Sequence, residues 1–109
     1  MRKLNLKDYQ YTEKVHNPII GGVKEYELPF NVKDSILNIL FLPALKLAGA
    51  ALVKQNVLAI KIEQSEDEVL LTEDEYQKVL TAANTYIAQG RCDVELIDRI
   101  LNQTPEVEV

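Results

Sequence analysis

The periodicity of the chain changes once, and that change limits its fold. Up to Phe30 the residues alternate, and beyond it they recur at helical spacing. Tyr9, Tyr11, Glu13 and Val15 interleave with Gln10, Thr12 and Lys14. Tyr26, Leu28 and Phe30 interleave with Glu25, Glu27 and Pro29. Two-residue alternation rich in Tyr, Thr and Val predicts strands. Asn17-Pro18 and Gly21-Gly22 between the runs supply turn chemistry, so the pair reads as a β-hairpin with a longish loop. Pro29 cannot donate to a ladder, so the second strand ends there or sits at an edge.

After Phe30 the helical signals begin. Asn31 is an N-cap for a helix over 32–41, with Asp34 in its first turn and Ile36, Leu37, Leu40 and Phe41 on one face. Pro43 ends it. Residues 50–64 again carry helical spacing through Leu52, Val53, Leu58, Ile60 and Ile62, as one helix or as two broken near Gln55-Asn56. Val69-Leu70-Leu71 is a short strand or an apolar lead into the next helix. Thr72-Glu73-Asp74-Glu75 is a capping box, with Leu71 and Tyr76 as its staple. Tyr76, Val79, Leu80, Ala83 and Ile87 carry that helix to about Ala88, and Gly90 stops it. Asp93 caps a last helix whose apolar face is Val94, Ile97, Ile100 and Leu101.

The expected fold is therefore α+β and mainly helical: an N-terminal hairpin followed by about four short helices in one domain over 1–104. Residues 1–8 form a mobile arm or a short first strand, and 105–109 belong to a polar, acidic tail. With 109 residues, one domain is the natural count.

Residue types narrow the chemistry. Cys92 is the only cysteine and His16 the only histidine, so no internal disulfide forms and no four-ligand Cys/His zinc site can be built from one chain. A Cys92–His16 catalytic pair is formally available, but His16 precedes a turn and Cys92 a helix start. No P-loop, dinucleotide fingerprint or G-x-S-x-G elbow is present. Glu66-Asp67-Glu68 and Glu73-Asp74-Glu75 offer hard oxygen ligands for a cation but lack the EF-hand pattern. The expectation is no catalytic residue, no metal and no cofactor. Met1–Asn5 lacks a secretory apolar stretch, and the run Ile36–Leu47 is too short and broken to span a bilayer. A cytoplasmic or virion-associated location follows as an expectation, with no membrane partner.

The net charge is −5, which argues against a general nucleic-acid binder. It is split unevenly. Residues 1–62 hold nine Lys/Arg against five Asp/Glu, net +4, and residues 63–109 hold three against twelve, net −9. Such a split suits differently solvated surfaces, a head-to-tail contact between subunits, or an acidic face for a basic partner. The apolar stretch around Leu37, Leu40, Phe41 and Leu45 is a candidate interaction surface, because a small domain covers apolar area poorly. The alternative site is the hairpin face of Tyr9, Tyr11, Lys24 and Tyr26, where aromatic and basic groups together could hold a small ligand or a single strand.

In Phe30-Asn31-Val32-Lys33-Asp34-Ser35-Ile36, and again in Gly90–Asn102, the chain resembles small proteins of phage and prophage gene clusters. In layout it is similar to phage tail-assembly chaperones and head–tail morphogenesis proteins. That resemblance implies a non-enzymatic protein, an oligomeric assembly or accessory factor that binds phage or host proteins. It marks no catalytic residue. The alternative it leaves is a small phage protein that captures a ligand or blocks a host defence factor.

Overall fold

The computed structural model describes residues 1–16, 21–88 and 90–108. It is an α+β, mainly helical fold. Strand β1 is Arg2–Asn5, β2 is Tyr9–His16 and β3 is Val23–Phe30. Helix α1 is Val32–Ile39, followed by a 3-10 turn at Pro43–Leu45 and helix α2 over Ala50–Gln64. Strand β4 is Glu68–Leu71, helix α3 is Glu73–Thr85, a 3-10 turn spans Arg91–Asp93, and helix α4 is Val94–Asn102. Among the described residues, no helix is long and apolar enough to cross a membrane.

The hairpin forms in the register that the alternation requires. β2 and β3 pair antiparallel, with Tyr9 opposite Phe30, Tyr11 opposite Leu28 and Glu13 opposite Tyr26. Gly21 and Gly22 take positive φ of 73° and 102°, a backbone that L side chains resist. The expected turn at Asn17-Pro18 lies outside the described residues. Residues Glu25–Glu27 are exposed, and the molecule is elongated, 54 × 32 × 22 Å.

The N-terminal segment is a strand, not an arm. β1 pairs antiparallel with β4, Leu4 facing Val69. Its other edge takes the C-terminal residues: Lys3 N–H donates to the Pro105 carbonyl at 3.0 Å, and Val107 N–H to the Met1 carbonyl at 2.7 Å. The acidic tail is thus held by backbone bonds. A buried cluster draws Leu4 and Leu6 from the N-terminus, Val32, Ile36 and Ile39 from α1, Leu58 and Ile62 from α2, and Leu96 and Ile100 from α4. Its edges are held by ion pairs from β1, Arg2 to Glu73 at 3.0 Å and Lys3 to Glu68 at 3.1 Å.

Several helix boundaries differ from expectation for local reasons. Asn31 caps α1 as read, its side chain accepting from Asp34 N–H, but α1 stops at Ile39 and tightens through Phe41 N–H to Asn38. α2 is a single helix. The capping box of Thr72 and Glu75 is complete. α3 ends at Thr85, three residues early, because the chain becomes extended at Tyr86. Gly90 is not its stop: at φ 175° it is extended backbone that leads into the Arg91–Asp93 turn. Ile87, read as a core residue of that helix, is 87% exposed.

Asp93 does not cap α4 through its side chain. That carboxylate is buried and accepts from the Tyr86 hydroxyl at 3.1 Å. Leu96 N–H, the third amide of α4, instead donates to the Tyr9 hydroxyl at 3.2 Å. The orphan donor at a helix start needs an acceptor, and a residue of β2 supplies it.

Candidate functional site

The four residues read as one interaction surface separate into different environments. Leu40 is fully buried beneath α1 and belongs to the core, so it cannot offer a surface. Its carbonyl accepts from buried Gln55 at 3.0 Å, which ties α2 to the end of α1. Leu37 and Leu45 are half-buried against the core, and Phe41 is 39% exposed. The apolar middle of the chain is consumed mainly by the fold.

The larger uncovered apolar face is on α2. Leu52, Val53, Val57 and Ile60 are exposed, Val53 and Val57 by more than 60%. At 100° per residue, Val53, Val57 and Ile60 make a stripe directly opposite the buried Gln55, Leu58, Ala59 and Ile62. The sequence signal for this was the composition of the helix. Nine of its fifteen residues are Ala, Val, Leu or Ile and they surround the axis. Such a helix must be covered on all sides or leave a face open. A groove of about 310 Å³ runs between this stripe and α3, lined by Val53, Val57, Lys54, Asp74, Glu75 and Lys78. It continues into a wider groove of about 470 Å³ past Lys54 to Leu45, Leu47 and Gln77. Asp74 is held by Lys78 and Glu75 by Lys61, each at 2.7 Å.

A second uncovered stripe lies on α4. Its apolar arc is wider than the side the body covers. Leu96 and Ile100 are buried, whereas Val94 is 62% and Leu101 39% exposed, with half-buried Ile97 between them. Val94, Ile97 and Leu101 line a groove of about 310 Å³ with Ala88, Asp93, Asp98 and Asn102. The Asp98 carboxyl accepts from Asn102 and Gln103, bonds that hold it below the usual carboxylate range.

The hairpin tyrosines share one face by register but do not converge on one spot. Tyr9 is a clamp. Its ring stacks on Phe30 at 4.7 Å and lies under the Arg99 guanidinium at 5.3 Å, and its hydroxyl donates to the Cys92 carbonyl. Burial pushes its phenol up to about 12. Arg99, itself buried, donates to the carbonyls of Asn5 and Lys7. Tyr11 meets Phe30 edge-on at 6.2 Å. Tyr26 is 47% exposed and sits four residues beyond Tyr9 along the ribbon, about 13 Å away. The Lys24 side chain lies outside what the structure describes. At the base of the hairpin is a cleft of about 470 Å³, with Phe30, Ile39, Leu42 and Leu96 apolar and Tyr11, Asn38, Tyr86 and Cys92 polar.

Cys92 and His16 are not brought together. The Cys92 carbonyl touches Tyr9, whereas the His16 backbone stands seven residues further along β2, about 23 Å at strand rise. The acidic clusters spend Glu68, Glu73, Asp74 and Glu75 on ion pairs with Lys3, Arg2, Lys78 and Lys61. Among the described residues no three His, Cys, Asp or Glu side chains gather around a point that could hold a metal. Compared with models of protein families, with curated proteins and with solved structures, the chain finds no match.

Proposed function

We propose that this chain acts by binding protein, not by catalysis, as a subunit of an oligomeric assembly. The observation that carries the reading is the outward stripe of Val53, Val57 and Ile60 on α2. Monomeric surfaces rarely leave a contiguous apolar patch beyond a few hundred Å², and larger ones mark contact sites. The role suggested by the resemblance is a helper or accessory protein of phage virion assembly, with a phage or host protein as further partner. Light scattering after size exclusion and native mass spectrometry test it. The wild type is expected to form a discrete or concentration-dependent oligomer, and Val57→Glu to lose mass while keeping its helical circular dichroism. A wild type that stays monomeric at 100 μM, with Val57→Glu indistinguishable from it, would sink the proposal.

A second reading rests on the cleft at the hairpin base. Small-ligand sites pair an apolar floor with a few converging polar groups. Among the described residues, the Tyr11 hydroxyl and the Asn38 amide line this cleft without a hydrogen-bond partner. A fixed extra mass per subunit in native spectra, lost in Asn38→Ala, would favour ligand capture over assembly.

A further inference from the structure

The cleft at the hairpin base is walled by three parts of the fold. The hairpin supplies Tyr11 and Phe30, α1 and its cap supply Asn31, Ser35 and Asn38, and the end of α3 supplies Tyr86. Asn31, Ser35 and Asn38 are spaced i, i+4, i+7 and so form one line along the helix. The charged residues of α1, Lys33 and Asp34, stand off that line. Solvent-facing helix positions are commonly charged, whereas this line carries two amides and a hydroxyl. These groups keep hydrogen-bonding capacity in hand. Asn31 Oδ1 accepts from Asp34 N–H, which leaves its amide hydrogens. Ser35 Oγ donates to the Asn31 carbonyl at 2.7 Å and can still accept. Asn38 and the Tyr11 hydroxyl have both capacities, with no side-chain partner among the described residues.

Charge is missing from the cleft as well. Among the described residues no lysine or arginine lines it, and its one carboxylate, Asp93, is buried and bonded to the Tyr86 hydroxyl. An anion entering would give up water with no cation to meet it, and a cation would find no open carboxylate. The floor is apolar, with Ile39, Leu42 and Leu96. The volume of about 470 Å³ falls within the range of small-molecule sites. We infer that this cleft takes an uncharged ring compound whose edge carries hydroxyl or amide groups, a sugar or a nucleoside, and excludes its charged counterparts. The apolar faces of such a ring cover Leu42 and the Tyr11 ring, and its edge exchanges hydrogen bonds with Ser35, Asn38 and the Tyr11 hydroxyl. This inference rests on the ligand-capture reading above and names the chemistry of the ligand.

Nitrogen–proton correlation spectra of the full chain test it, read at the signals of Ser35, Asn38 and Leu96. The probes are glucose, glucosamine and glucose 6-phosphate at pH 6, and adenosine with adenosine monophosphate. Glucose or adenosine is expected to shift these signals at millimolar concentration, and which of them does so tells sugar from nucleoside. Its charged counterparts are expected to bind at least about tenfold more weakly. Asn38→Ala and Tyr11→Phe should each weaken the neutral probe about fivefold, with circular dichroism melts unchanged. Asn38→Lys, which sets an ammonium at the exposed mouth, should strengthen binding of the phosphorylated probe. If a charged probe binds wild type as tightly as its neutral parent, or Asn38→Lys gains nothing for phosphate, ligand capture stands and the selection by charge falls. If neither neutral probe moves the cleft signals, or both variants bind it as wild type does, the cleft is no ligand site and the inference falls together with the reading beneath it.

Discussion

Removing one oxygen atom should measurably loosen the molecule. In Tyr9→Phe the ring and its stack on Phe30 remain, but the hydroxyl that joins β2 to the start of α4 is gone. Two bonds are lost. Leu96 N–H no longer has its acceptor, which is the loss of a helix cap and costs about 1 kcal/mol. The Cys92 carbonyl loses its donor at a part-buried position, about another 1 kcal/mol. The sum is roughly 2 kcal/mol. With an unfolding entropy of about 2.1 cal/mol/K per residue, a chain of this size should lose about 9 °C of Tm. Calorimetry or a circular dichroism melt at pH 7 reads it, with Tyr11→Phe as the control because that hydroxyl has no partner among the described residues. The alkaline limb gives a second readout. The fold holds the Tyr9 phenol neutral, raised to about 12 by burial, against about 10 in the unfolded chain. That contribution is fully present below pH 10 and is lost as pH rises towards 12. Between pH 9 and 12 the wild type should therefore lose more stability than Tyr9→Phe. A Tyr9→Phe melt within 2 °C of wild type would refute the capping argument.

Three further outcomes are expected. Thr72→Ala removes one half of the capping box and should cost about 1 kcal/mol by urea denaturation, without changing the fold. For Glu75, burial pushes the carboxyl up, but the Lys61 ammonium and the Thr72 amide outweigh it and hold it below its ordinary value. The stability it adds is present above about pH 4.5 and fades as pH falls through the lowered value, so the gap between wild type and Glu75→Gln should shrink from pH 5 to pH 3 in urea titrations. Leu40→Asp places a charge at a fully buried position and should abolish the folded circular dichroism signal, while Phe41→Asp, at a turn that still covers more than half of the residue, should cost about 2 kcal/mol and leave the chain folded.

What the sequence made legible was what is local. The hairpin parity, the Asn31 cap and the Thr72–Glu75 box all depend on residues within a few positions of one another. What it hid depends on distant partners. Asp93 has the right chemistry for a cap, but Tyr86 claims its carboxylate and Tyr9 takes over its task. Leu40 and Phe41 are neighbours of similar apolar character, and only the placement of Gln55 and the core decides that one is inside and the other outside. The open face of α2 was present in its all-round apolar composition, yet its direction follows from where α1 and α3 lie.

The placement of β1 also sets an order of events. Arg2 lies opposite Leu71 on one edge and opposite Glu106 on the other. β1 is thus made before either of its partners and is completed only after both. The hairpin over 9–30 closes on local contacts, which form quickly, whereas β1 waits for the far end of the chain. During synthesis it stands with unpaired edges until residues 68–71 and then 105–107 arrive. A nascent chain stalled before Pro105 would carry one open β edge beside an already apolar surface, the state most exposed to wrong pairing with its neighbours.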